Sequence, residues 1–136
     1  MIGAFSDAGG TVIKMRILLA FEDEYRAYME AMAAALRTFR SDVEVALTDG
    51  RSLEAELERF DPQLLISSPP LPENPVDEEL LARIELSPEP EQASRFRVGE
   101  RRWEATNPTL GEILPVVDEA KTIFTKSHGQ EGTNTS

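Results

Sequence analysis

Short apolar runs alternate with segments of helical periodicity in the first half of the chain. Residues 16–21 and 64–66 form apolar runs, which are typical of strands covered on both faces. Between them, apolar residues recur at helical spacing over 24–40, and a further strand-like run occupies 43–47. A short helix capped by Ser52 precedes the run at 64–66. The order strand, helix, strand, helix, strand predicts a parallel sheet wound by right-handed crossovers.

The second half of the chain predicts a hairpin instead of a further repeat of this unit. Residues 82–86 form a fourth strand-like run, and residues 77–81 allow at most a short helical turn before it. Apolar and polar residues then alternate over 94–98 and 101–105, on either side of the Gly-Glu pair at 99–100. A glycine at the first central position of a two-residue loop is typical of tight hairpin turns.

The last patterned segment is an amphipathic helix. It is predicted to open at Asn107 or Thr109 and to continue through Ala120. Pro115 predicts a kink or a broken start, because proline lacks an amide hydrogen. The residues at helical spacing that are expected to face inward are Leu110, Ile113, Leu114 and Val117. This helix supplies a further apolar cover for the sheet.

The two ends of the chain lack such patterns. Residues 1–14 contain several glycines and little that can pack, so we expect a disordered leader. Residues 125–136 are polar and have no hydrophobic period, so we expect a disordered tail. Residues 15–124 are then one folded domain, as the length of 136 residues also suggests.

The composition excludes several classes of protein. An apolar content of 40% with 29% charged residues is typical of a folded globular chain. The absence of cysteine excludes disulfides, thiolate catalysis and cysteine-based zinc sites. The longest apolar stretch, around residues 12–21, is interrupted by Lys14 and Arg16, so no membrane span is predicted. With no signal peptide pattern at the start, we expect a cytoplasmic protein.

The net charge makes nucleic acid an unfavourable partner. The chain carries a formal charge of −11, and binding to a polyanion requires a basic surface that releases counterions. Four arginines do cluster near the predicted hairpin, but the global field still repels nucleic acid. These arginines are Arg95, Arg97, Arg101 and Arg102.

Three stretches of the chain resemble the receiver domains of two-component response regulators. Residues 17–24 are similar to the opening strand of that family and the acidic pair that follows it. Residues 60–72 are similar to its third strand and loop, with Pro62 and Pro72 at the family's spacing around the phospho-accepting aspartate. Residues 107–114 are similar to its Lys-Pro segment before the last helix. The resemblance implies a three-layer, flavodoxin-like α/β sandwich with a parallel central sheet, whose second half is degenerate because it contains a hairpin.

The resemblance also implies a partly dismantled site at the carboxyl ends of the strands. Glu22 and Asp23 correspond to the acidic pair that holds magnesium in the family. Ser68 takes the place of the phospho-accepting aspartate, and Asn107 takes the place of the lysine that contacts the phosphoryl group. Ser87 is the residue nearest to the family's hydroxyl position after the fourth strand.

These substitutions change the chemistry of the site. Phosphoryl transfer to a receiver needs a carboxylate nucleophile, a divalent ion and a cation that stabilises the developing charge. A serine hydroxyl is protonated at neutral pH, and asparagine has no charge, so we expect the reaction not to occur. Glu22 and Asp23 retain carboxylates for weak Mg²⁺ binding, and no other cofactor is expected. A serine hydrolase is also excluded, because the sole histidine, His128, lies in the polar tail.

Each of these residues also has a structural explanation. Glu22 and Asp23 precede a helix, where acidic side chains complement the helix dipole. Ser67 and Ser68 are small polar residues at the end of a buried strand. Trp103, on the predicted hairpin, either covers the edge of the sheet or belongs to a contact surface.

The function that we predict is that of a pseudo-receiver: a non-enzymatic signalling module that binds another protein or itself. A homodimer through the hairpin and the last helix is the specific hypothesis. The alternative is a small-ligand or metal-binding domain, catalytic or not, that uses the crevice at the strand ends. Phosphorylation of Ser68 by a serine kinase is a third hypothesis. The residues that would converge in the crevice, called the strand-end group below, are Glu22, Asp23, Ser67, Ser68 and Asn107.

Overall fold

A six-stranded mixed sheet forms the centre of the domain. The computed structural model describes residues 14–68, 80–87 and 89–133, with side chains up to residue 127. The strands are β1 (Met15–Ala20), β2 (Val43–Thr48), β3 (Leu64–Ser67), β4 (Ala82–Glu85), β5 (Ala93–Val98) and β6 (Arg101–Thr106). The helices are α1 (Arg26–Phe39), α2 (Leu53–Phe60) and α3 (Leu110–Thr133), and a 3-10 turn, Asp23–Tyr25, precedes α1. All six strands predicted from the sequence are thereby confirmed.

The order of the strands is β2-β1-β3-β4-β5-β6. The strands β1 to β4 pair in parallel, whereas β5 is antiparallel to both β4 and β6. The predicted hairpin is therefore confirmed, and the sheet is parallel only over β1 to β4. The physical reason is the length of the connections: a parallel crossover needs about a dozen residues or more, and β4, β5 and β6 are joined by shorter loops.

Alternation of side chains along the strands divides the core into two clusters. Ile17 and Leu19 belong to the larger cluster, whereas Leu18 and Ala20 belong to the smaller one, so the two clusters lie on opposite faces of the sheet. Residues of α1 and α3 complete the larger cluster: Met29, Met32, Ala33, Leu36, Ile113, Val116, Val117, Ala120 and Phe124. The smaller cluster is completed by Leu53 and Leu57 of α2 and by Leu80, which lies just before β4. Helices therefore cover both faces, and no helix in the described part of the chain is long and apolar enough to cross a membrane.

The start of α2 differs in detail from the prediction. Ser52 occupies the N-cap position, but its side chain makes no capping hydrogen bond. Instead its backbone N–H donates to the Asp49 carboxylate at 2.9 Å, and this bond lowers the pKa of Asp49. The helix ends at Phe60, where Asp61 adopts a left-handed conformation with φ of 52° and Pro62 follows it. The Asp49 carboxylate thus stabilises the turn before the helix, and the serine hydroxyl makes no capping bond.

The last helix is longer than predicted. It runs to Thr133 instead of ending at Ala120, and Pro115 lies inside it. Residues 125–133, assigned above to a polar tail, are thus helical, because extending an existing helix is easier than starting one and no proline follows residue 115. The described residues do not include 1–13, 69–79, 88 or 134–136, so most of the predicted leader, Pro72 and most of the short turn predicted at 77–81 lie outside them.

Ion pairs fasten α3 to the loop that follows α1. The guanidinium of Arg40 donates two hydrogen bonds to the carboxylate of Asp118, at 2.7 and 2.8 Å. Next to it, the ammonium of Lys121 lies 2.6 Å from the carboxylate of Asp42. The bond from Arg40 lowers the pKa of Asp118, and the bond from Lys121 lowers the pKa of Asp42. Both acids therefore stabilise the fold in their ionised form.

This arrangement predicts a specific dependence of stability on pH. A carboxyl group whose pKa is lower in the folded state stabilises the fold above its unfolded pKa of about 3.9, and this contribution is lost as the pH falls through the folded value. Asp118→Asn should lower the free energy of unfolding by about 0.5–1 kcal/mol at pH 7, since the pair is partly exposed. In urea titrations, the difference from the wild type should shrink below about pH 4. As a control, Glu58→Gln on the exposed face of α2 should have the same free energy of unfolding as the wild type at every pH. If Asp118→Asn stayed less stable than the wild type by a constant amount down to low pH, the role assigned to this ion pair would be contradicted.

Candidate functional site

Three strand ends meet at one edge of the sheet. Because β1, β3 and β4 are parallel, their carboxyl ends lie side by side. The chain leaves β1 into Glu22 and Asp23, leaves β3 into Ser68 and leaves β4 into Ser87. This edge is where the sequence placed the candidate site.

The structure brings Ser68 and Glu22 into contact. The backbone N–H of Glu22 donates a hydrogen bond to the Oγ of Ser68 at 3.3 Å. The backbone N–H of Ser68 in turn donates to the carbonyl oxygen of Ala20 at 3.2 Å. Ser68 has 0% of its surface exposed. The position that resembles the phospho-acceptor therefore holds a neutral hydroxyl that is buried and already hydrogen-bonded.

Ser67 is buried on the opposite face of the same strand. Its residue surface is also 0% exposed, and its Oγ has no hydrogen-bond partner in the described part of the chain. Its neighbours across the sheet are Ala20 on β1 and Glu85 on β4. An unpaired buried hydroxyl costs about 1–3 kcal/mol, so this strand end is not optimised for stability alone.

The acidic pair occupies the start of the turn before α1. Glu22 is half-buried at the N-cap position, and Asp23 is exposed in the first turn. The Tyr25 backbone N–H donates to the carbonyl oxygen of Glu22 at 2.8 Å, which closes the turn. Among the residues described here, no group of three or more His, Asp or Glu side chains is placed to hold a metal ion. The geometry agrees with the role of these acids at a helix start.

Asn107 does not join the rest of the strand-end group. β6 runs in the same direction as β3, so Asn107 lies at the same edge of the sheet. However, β4 and β5 separate the two strands, which places their ends about 14 Å apart at the usual spacing of neighbouring strands. The expected convergence on Ser68 fails because the hairpin inserts an antiparallel strand. Asn107 has φ of 48°, a left-handed conformation that asparagine tolerates better than most residues, which accounts for its identity.

Ser87 has a structural role in the turn after β4. Its backbone N–H donates to the Oγ of Ser94 at 2.9 Å. Its own Oγ accepts a hydrogen bond from the Glu89 backbone N–H at 3.2 Å and lies 3.3 Å from the Oε1 of Gln92. The hydroxyl is thus engaged within the turn. The contribution of Ser94 could not be predicted, because its spacing from Ser87 follows no motif.

Tyr25 is a residue at this edge that the sequence did not single out. Burial raises the pKa of the Tyr25 phenol above its ordinary value, and the charges of Glu24 and Glu89 raise it further. The charge of Glu22 acts in the same direction. These acids therefore lie near enough to the phenol to act on it, in addition to the larger effect of burial.

Comparison with known proteins does not assign the chain to a group. No family model matches it, and no match was found among curated proteins or among solved structures.

Proposed function

We propose that this protein is a pseudo-receiver, a non-enzymatic module that takes part in signalling by binding another protein or itself. The observation that carries the proposal is the Oγ of Ser68, buried beside the Glu22 backbone where the receiver family has its aspartate. The order β2-β1-β3-β4 and helices on both faces of the sheet support a flavodoxin-like arrangement for the parallel half.

The electrostatics of the edge support the absence of phosphoryl transfer. The family's reaction needs a carboxylate nucleophile and a cation on the transferred group. Ser68 supplies no negative charge, and Asn107 is both neutral and three strands away. The activity that we propose is therefore binding without a cofactor. The compartment that we propose is the cytoplasm.

A small phosphodonor tests this proposal. Incubation with acetyl phosphate and Mg²⁺ at neutral pH should leave the intact mass of the protein unchanged, because the acceptor position holds a buried serine hydroxyl instead of a carboxylate nucleophile. A response regulator that retains its aspartate, treated in parallel, shows that the donor is active. A mass increase of one phosphoryl group that disappears in Ser68→Ala would refute the proposal.

Titration with Mg²⁺ tests the alternative of a metal-binding domain. The amide resonances of Glu22 and Asp23 should show no saturable shift at about millimolar Mg²⁺, because two carboxylates without further protein ligands hold the ion weakly. Saturation in that range, lost in Asp23→Asn, would favour the alternative.

A further inference from the structure

Among the described residues, β6 is the outermost strand at one edge of the sheet and pairs with β5 alone. It pairs with β5 through a two-residue turn in which Val98 lies opposite Arg101, and Gly99 adopts φ of 59°. No hydrogen bond among the described residues engages the backbone groups on the other side of β6. The edge at β2 is different, because the Arg37 guanidinium of α1 donates to the carbonyl oxygen of Val45 at 2.9 Å.

The pairing pattern shows which residues point their backbone groups outward. The Gly99 N–H donates to the carbonyl oxygen of Leu81, so the odd-numbered residues of β5 bond to the β4 side. The even-numbered residues of β5 therefore bond to β6, through the residues opposite them. Since Trp103 lies opposite Phe96, its backbone groups point inward. The residues of β6 whose N–H and C=O groups point away from the sheet are Arg102, Glu104 and Thr106.

This alternation restricts how a second copy of β6 could pair with the first. In an antiparallel pair, a residue whose backbone groups point outward must lie opposite another such residue. Because these residues alternate along β6, the two-fold axis must lie level with a residue and cannot fall midway between two neighbouring residues. An axis at Arg102 would oppose two arginines, and an axis at Glu104 would oppose two glutamates. An axis at Trp103 instead opposes Arg102 of each copy to Glu104 of the other. Opposite charges in such positions are stabilising, and like charges are destabilising.

The side chains on the two faces fit this central register. Arg102 and Glu104 lie on one face of the sheet, and both side chains are exposed. Trp103 lies on the other face, where it stacks on Phe96 with ring centroids 5.2 Å apart. Arg101 covers the same indole at 4.6 Å and bonds to Glu119 of α3 at 2.7 Å. The edge is thus supported by contacts on its inner face, and it presents Arg102 together with Glu104, whose carboxylate also lies 4.0 Å from the Arg95 guanidinium of β5.

We propose that β6 is a self-association edge: two copies of the chain pair antiparallel through β6 about a two-fold axis at Trp103. Arg102 of each copy then lies opposite Glu104 of the other, and the two sheets become one continuous sheet. This inference rests on the proposed function in that it names a second copy as the partner. It differs from a general contact through the hairpin because it specifies the register.

Charge reversal and mixing test the register. Sedimentation velocity over roughly 5–500 µM should show a reversible dimer of the wild-type chain, as expected of a small interface. Arg102→Glu and Glu104→Arg should each raise the dimer dissociation constant about tenfold or more, because both opposed pairs become repulsive. An equimolar mixture of the two variants should dimerise again, since each pair then joins opposite charges. The double variant Arg102→Glu/Glu104→Arg should dimerise like the wild type.

Control variants separate this register from a general effect of surface charge. Glu54→Arg makes the same charge change on the exposed face of α2, away from β6, and should leave the dimer intact. Trp103 is the only tryptophan, so its emission should shift with concentration in the wild type and not in the single variants. A wild-type chain that remains monomeric would overturn the proposal and show that the charges protect the edge. A dimer that survives the single reversals, or a mixture that stays monomeric, would also overturn it. None of these results decides whether the protein accepts a phosphoryl group, so the mass measurement with acetyl phosphate tests the proposed function separately.

Discussion

Phe96→Ala is expected to lower the free energy of unfolding by about 3–5 kcal/mol, among the largest effects of any single truncation in this chain. Phe96 has 2% of its surface exposed, and it lies between Ile84 of β4 and Trp103 of β6. The substitution removes apolar contact and leaves a cavity, and it also removes the stacking partner of the indole. The melting temperature should fall by about 15–25 °C for a domain of this size.

Phe39→Ala provides the matched control for this prediction. Phe39 ends α1 with 56% of its surface exposed, so the same truncation should change the free energy of unfolding by less than about 1 kcal/mol. Chemical unfolding followed by circular dichroism measures both variants without relying on Trp103 fluorescence. Equal effects of the two substitutions would mean that Phe96 does not hold the antiparallel strands to the core.

Ser68→Asp is expected to destabilise the protein by about 2–5 kcal/mol at neutral pH, although it recreates the residue that the receiver family uses. The side chain is buried beside the Glu22 backbone, so an introduced carboxylate would lose its hydration. Burial should raise the pKa of that carboxyl above its unfolded value of about 3.9. The part of the destabilisation that comes from charge should therefore be present at pH 7 and should be lost by about pH 3, where the carboxyl is mostly protonated in both states, while the cost of the larger side chain remains.

Ser68→Asn separates the effect of charge from the effect of size. It has almost the shape of the aspartate variant but no charge, so its effect should be smaller and independent of pH over this range. Urea denaturation at the two pH values measures the difference. If Ser68→Asp were as stable as the wild type at pH 7 and accepted a phosphoryl group from acetyl phosphate, the pocket would be open and the closed strand end described above would be wrong.

The positions of the strands could be predicted from the sequence, because each carries a pattern of period two or an unbroken apolar run. The antiparallel pairing of the last two strands was predicted from the Gly99 turn. The antiparallel pairing of β5 with β4 was not predicted, although the segment between Glu85 and Ala93 is too short for a parallel crossover.

The candidate site was predictable only in part. The contact between Ser68 and Glu22 followed from parallel strands whose ends share an edge. The separation of Asn107 did not follow, because it depends on where the antiparallel strand inserts into the sheet. The bonds of Ser87 to Ser94 and of Arg40 to Asp118 join residues by tertiary packing, which no short pattern encodes.

The mixed topology has a consequence for how the chain folds. The strands β4, β5 and β6 follow one another along the chain, so each pairs with its neighbour by closing a short loop. The ladder between β1 and β3 must instead join Ile17 to Leu64, and closing that longer loop costs more conformational entropy. Loop-closure entropy therefore favours assembly of the C-terminal meander first, with the parallel strands added later. The half of the sheet that departs from the receiver pattern is also the half whose contacts form most locally.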